Sequence, residues 1–135
     1  MKAVVDTNVF VSGIINATGG PGKVIDLIRT GIIKIVIDDR IFEEYTDVLS
    51  RDFLKPYISK DDYHNIVEVI KYNSIHITSS EVIHDLPHKG DIPFLEVAIT
   101  AEAPLITGNS KHFPEEKRKG CQIYTPAEFL KKFTL

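Results

Sequence analysis

Five oxygen-bearing positions have the type and placement to act together: Asp6, Asp38 or Asp39, Glu44, Asp91 and Asn109. Asp6 ends the apolar run Lys2 to Val5. Asp38-Asp39 ends the β-branched run Ile32 to Ile37, and Asn109 follows the run Pro104 to Thr107. In open α/β sheets, ligands bind outside the carboxyl ends of the strands. Carboxylates converging there repel one another and need a cation, and an all-oxygen donor set suits Mg²⁺ or Mn²⁺. Two such ions clamp the attacking and leaving oxygens of a phosphodiester and activate water. Each position also has a plainer reading. Asp6-Thr7-Asn8 and Asp91 suit helix starts, and Asp38 or Asp39 reads first as the cap of the helix that follows.

The elements that must position these groups alternate. The first strand leads into a helix from Val9 to Ile15, and Thr18 to Lys23 reads as a loop. That loop is not a phosphate loop, which would need Gly at position 17 and Ser or Thr at 24, where Ala17 and Val24 stand. A helix with Val24, Ile25, Leu27 and Ile28 on one face ends near Gly31. The helix from Arg40 to Arg51 centres its apolar face on Ile41, Phe42, Tyr45, Val48 and Leu49. Glu43 and Asp47 lie ~160° from that centre, facing solvent. Glu44 lies ~100° away, at the border of the buried face and able to turn inward.

Ser59 caps a helix from Lys60 to Tyr72, and Ser74 to Thr78 reads as a short strand. Ser79 to Gly90 reads as a solvated loop. Its His84 and His88 flank Pro87, which disfavours the helix that would pair them on a metal. Asp91 and Pro93 start a helix that is apolar nearly all round, with Glu96 on the exposed side. Lys117-Arg118-Lys119 reads as a solvated face, Cys121 to Tyr124 as a fifth strand, and Pro126 as the start of a last amphipathic helix. Strands alternating with helices imply an α/β fold with a central parallel sheet of about five strands covered on both faces.

The 135 residues fit a single domain spanning 1–135. One cysteine, Cys121, allows neither an internal disulfide nor a Cys-based zinc site. No apolar run reaches the ~20 residues of a membrane span, and no secretion signal precedes the first strand, so a cytoplasmic location is expected. A net charge of -3 argues against a broad basic surface that holds nucleic acid.

Four segments carry a family resemblance: Val5-Asp6-Thr7-Asn8-Val9; Glu43-Glu44-Tyr45 with Val48-Leu49; Asp91 to Ala98; and Pro104 to Asn109 with His112-Phe113-Pro114. Together, in order and spacing, they resemble the PIN domains, most closely the prokaryotic branch assigned to toxins of toxin–antitoxin pairs. The resemblance implies a three-layer α/β/α sandwich and a metal-dependent endoribonuclease acting on RNA with Mg²⁺ or Mn²⁺. It implies an antitoxin protein and a second copy of the chain as partners. It assigns Asp6, Glu44 and Asp91 as catalytic residues and metal ligands. Asn109, Thr7, Asn8 and Ser12 support the site, and Lys111 and His112 contact RNA phosphate. Many relatives carry an acidic residue where Asn109 stands, which weakens a second metal position. The rival expectation is therefore an inactive PIN-like module that binds RNA or a protein. A phosphohydrolase built on Asp6 fits less well, because the second Asp it needs is Asn8.

Overall fold

The computed structural model describes Met1–Leu135. Five strands form one sheet: β1 (Lys2–Val5), β2 (Lys34–Ile37), β3 (Ile75–His76), β4 (Leu105–Ile106) and β5 (Ile123–Tyr124). Their order is β3-β2-β1-β4-β5, and every pair is parallel. Six helices connect or follow them: α1 (Thr7–Ile15), α2 (Gly20–Arg29), α3 (Asp39–Leu49), α4 (Lys60–Asn73), α5 (Ile92–Ala101) and α6 (Pro126–Lys132). This is the three-layer α/β/α architecture.

The apolar runs explain the layers. Val4, Val5, Val36, Ile37, Leu105 and Ile106 are fully buried, as strands covered on both faces must be. Helix α5 packs across β1, β2 and β4, while α1 packs on α2, α2 on α6 and α3 on α4. Strand order reverses between β1 and β4, so a crevice opens at their carboxyl ends. Register sets what meets there: Val5 pairs with Ile106, and the next residues along are Asp6 and Thr107.

Several elements differ from the sequence reading. Strand β1 spans the expected Lys2–Val5, but β2 to β5 are shorter than the runs that predict them. Helix α2 begins at Gly20 inside the expected loop, because Pro21 in its first turn presets a helical φ. Gly22 permits this start: a Cβ there would collide with the Ala17 backbone. The segment 79–90 is not wholly solvated, since Ile83 and Leu86 are buried against the core. Arg118 is not simply solvated either, as its Nε donates to the Phe113 carbonyl at 2.7 Å.

The largest correction is Glu96. It was expected on the exposed side of α5, yet it is only 5% exposed. Helix α5 has no solvent side at that point, because α3 packs on it and the 79–90 segment covers it. Glu96 is satisfied there by Arg40 Nη1 and by the backbone N–H of Ile83, each at 2.7 Å.

Candidate active site

An open cleft of about 660 Å³ lies at the β1/β4 crevice. Asp6, Thr7, Asn8, Glu44, Asp91, Asn109 and His112 line it, with Arg40 beside them. Seven of the nine site residues expected from sequence are therefore brought together. Ser12 and Lys111 are not: both are exposed and neither belongs to the lining. Ser12 stands a further turn along α1, and Lys111 lies on the short 3₁₀ turn Ser110–His112. Glu43 and Asp47 are exposed, as the helical wheel places them, but they also form part of the cleft's outer wall.

Asp6 occupies the N-cap position of α1, but its side chain makes no capping hydrogen bond. Its backbone is fixed instead, with its N–H donating to the Ile106 carbonyl at 2.9 Å. Its Oδ2 accepts from the Thr107 hydroxyl at 2.8 Å. Burial pushes the Asp6 carboxyl up to about 6; the Thr107 hydrogen bond opposes this, and the charges of Asp91 and Glu44 add to it. Asp91 shares one feature with Asp6, an N-cap position that its side chain does not cap. Its Oδ2 lies 3.0 Å from His112 Nδ1. The His112 ring stacks on His88 with centroids 3.8 Å apart. Asp38, by contrast, is a true cap: its Oδ1 accepts from the Ile41 N–H at 3.0 Å.

Glu44 is held by the Thr7 hydroxyl, which donates to its Oε2. The neighbouring Tyr45 is fully buried and donates to the Val5 carbonyl, tying α3 to the end of β1. Burial, then the charges of Asp6 and Glu44, hold its phenol well above the usual range. The loop after β4 is tied down by two further bonds. The Gly108 N–H donates to Asn8 Oδ1 at 3.2 Å, and the Asn109 N–H donates to Thr107 Oγ1 at 3.1 Å. Sequence reasoning missed Thr107, Arg40 and Tyr45. Thr107 was legible as the polar residue ending β4, next to β1; the other two were hidden as a first-turn cation and an apolar-face aromatic.

No ion pair in the molecule involves Asp6 or Glu44. A carboxylate 5% exposed, raised by burial and further by its acidic neighbours, and lacking a cationic partner, fits a bound divalent cation. No three His, Cys, Asp or Glu side chains stand close enough together to hold a metal ion by themselves. Mg²⁺ does not need such a cluster, since it keeps several waters and takes one or two carboxylates plus substrate phosphate.

A family model described as PIN domain matches residues 2–111. The chain belongs to the PIN-domain family. The family's members are, as a rule, nucleases that hydrolyse phosphodiester bonds. Among curated proteins this PIN domain is similar to uncharacterized protein MJ1680 of Methanocaldococcus jannaschii. The two are 27% identical over 147 aligned positions, covering 98% of this chain and 92% of that protein. Among solved structures it is similar to a chain in the crystal structure of VapBC2 from Rickettsia felis bound to a DNA fragment from their promoter. The TM-score is 0.57 and the identity 16%, covering 91% of this chain and 97% of that one; at that identity the likeness is one of fold. No helix of the PIN domain is long and apolar enough to cross a membrane.

Proposed function

We propose that this PIN domain is a Mg²⁺- or Mn²⁺-dependent endoribonuclease and the toxin of a toxin–antitoxin pair. The observation that carries the reading is the cleft itself: Asp6, Glu44 and Asp91 face one crevice, and neither Asp6 nor Glu44 has a cationic partner. Asp6 and Asp91 are the residues that would hold the cation, with Glu44 ligating directly or through water. When bound, the ion would supply Lewis-acid activation of water and charge neutralisation at the scissile phosphate. Thr7 orients Glu44, and Thr107 fixes Asp6 and favours its ionised form. His112 keeps Asp91 oriented and stands where an RNA phosphate would lie. Asn8 and Asn109 offer amide hydrogen bonds to substrate or bound water.

RNA as substrate, the antitoxin and a homodimer rest on the motif resemblance to the toxin branch, and the cytoplasm is the compartment such a toxin would work in. The whole chain is read as one domain. The test is the chemistry of the products: short RNAs incubated with protein and Mn²⁺ should give 5′-phosphate and 3′-hydroxyl ends. Ends carrying 2′,3′-cyclic phosphate would contradict metal-activated water as the nucleophile.

Asn109 favours a second reading, a binding module without turnover. It places a neutral, exposed amide in the cleft where a fourth acid would strengthen ion binding. That reading predicts RNA binding unaffected by chelator and no cleavage in Mn²⁺.

A further inference from the structure

The ion-binding reading uses Asp6, Glu44 and Asp91, but leaves two buried carboxylates beside the cleft without a role: Asp38 and Glu96. Both close on one guanidinium. Arg40 Nε and Nη2 lie 2.8 and 2.7 Å from Asp38 Oδ2, and Nη1 lies 2.7 Å from Glu96 Oε1. Burial would lower the Arg40 guanidinium, but the bonds to Glu96 and Asp38 outweigh it and hold it above its ordinary value. The second oxygen of Glu96 accepts from the Ile83 N–H at 2.7 Å.

We infer that Glu96 is a positioning residue for the acidic cleft, acting through Arg40 and through the 79–90 segment. Arg40 and Glu44 are separated by four residues on α3 and so share a face. Glu96 lies just over one turn beyond Asp91 on α5. The Arg40–Glu96 pair therefore joins the two helices that carry Glu44 and Asp91. The other oxygen holds Ile83, five residues before His88 in the same segment, and His88 stacks on His112, the partner of Asp91. One carboxylate thus constrains both faces of the cleft. By occupying Asp38 and Glu96, Arg40 also forms no ion pair with Asp6, Glu44 or Asp91. The inference rests on the proposed ion-binding role of those three, and its test separates the two.

The experiment compares wild type with Glu96→Gln, Arg40→Gln and the double variant, measuring Mn²⁺ affinity and the ring resonances of His88 and His112 by NMR. Leu54→Ala serves as the control, since Leu54 is fully buried and lines no part of the cleft. Each single variant should weaken Mn²⁺ binding about tenfold, as loss of a group that orients a ligand does. The double variant should lose little more, because both substitutions break one strut. The His88 and His112 resonances should move in Glu96→Gln without any metal, and Leu54→Ala should change neither readout. Unmoved resonances in Glu96→Gln, or an equal affinity loss in Leu54→Ala, would overturn the inference. If wild type takes up no Mn²⁺, the ion-binding reading fails by itself, and the metal-free resonances still decide whether Glu96 sets the cleft geometry.

Discussion

Thr107 is wholly buried at the end of β4 and donates its hydroxyl hydrogen to Oδ2 of Asp6, at the end of β1, at 2.8 Å. The bond favours the ionised carboxylate in a place where burial and two acidic neighbours oppose ionisation. Thr107→Val keeps the shape and removes the bond. It also leaves the Asn109 N–H without its acceptor. The variant should lose about 1–2 kcal/mol of stability, and its Mn²⁺ binding should need a higher pH than wild type. Urea unfolding and Mn²⁺ titrations from pH 5.5 to 8 measure both effects.

The raised Asp6 carboxyl makes metal-free stability depend on pH with a definite sign. Its folded value of about 6 lies above the ordinary 3.8, so the native state binds the proton more tightly than the unfolded chain. Ionised Asp6 therefore costs stability. The cost is fully present above about pH 6, on the order of 3 kcal/mol at most, and it disappears as pH falls towards 3.8. In EDTA, wild type should gain stability relative to Asp6→Asn between pH 7 and pH 5. Protons compete with the cation at the same oxygens, so stabilisation by Mn²⁺ should fade over that range. A flat difference between the two proteins would remove the electrostatic account of Asp6.

Asn109→Asp would place a fourth carboxylate in the cleft. With an ion present, the added charge should tighten binding or raise the stoichiometry from one to two. Without an ion, it should lower stability by about 0.5–1 kcal/mol through like-charge repulsion. Calorimetric Mn²⁺ titration and melting in chelator read the two arms separately.

Gly22→Ala tests the scaffold alone. The new Cβ would meet the carbonyl oxygen, carbonyl carbon and Cα of Ala17. Backbone cannot give way as a flexible side chain can, so the cost should be about 1–3 kcal/mol. Because neither Gly22 nor Ala17 lines the cleft, residual activity should fall in step with folded fraction and no further. Chemical denaturation alongside activity in the folded range checks this.

Much of this fold and part of its candidate site were legible in the sequence, for reasons that particular residues make plain. Strands buried on both faces leave continuous β-branched runs, such as Ile35-Val36-Ile37, and those were easily placed. The acidic positions were legible because strand ends and helix starts are local features. What sequence could not separate was cap from site: Asp6, Asp38 and Asp91 all occupy N-cap positions. The structure divides them by what their oxygens do. Asp38 caps Ile41, whereas Asp6 and Asp91 leave their helix N-termini uncapped and face the cleft. Glu96 was misplaced for the opposite reason. A helical wheel reports the direction away from the apolar centre, not what lies there, and Arg40 comes from a helix more than fifty positions earlier.

The central claim is that Asp6, Glu44 and Asp91 form a cation-dependent hydrolytic site. Its most direct test pairs thermal melting with cleavage, using wild type and Asp6→Asn purified side by side, titrated with Mn²⁺ and Mg²⁺ and given fluorescent single-stranded RNAs. Wild type should be stabilised by the ions and should cut RNA only in their presence. Asp6→Asn should melt higher than wild type in chelator at pH 7, gain nothing from metal and leave the RNA intact. Equal cleavage by both proteins, or wild-type cleavage that survives EDTA, would contradict the account.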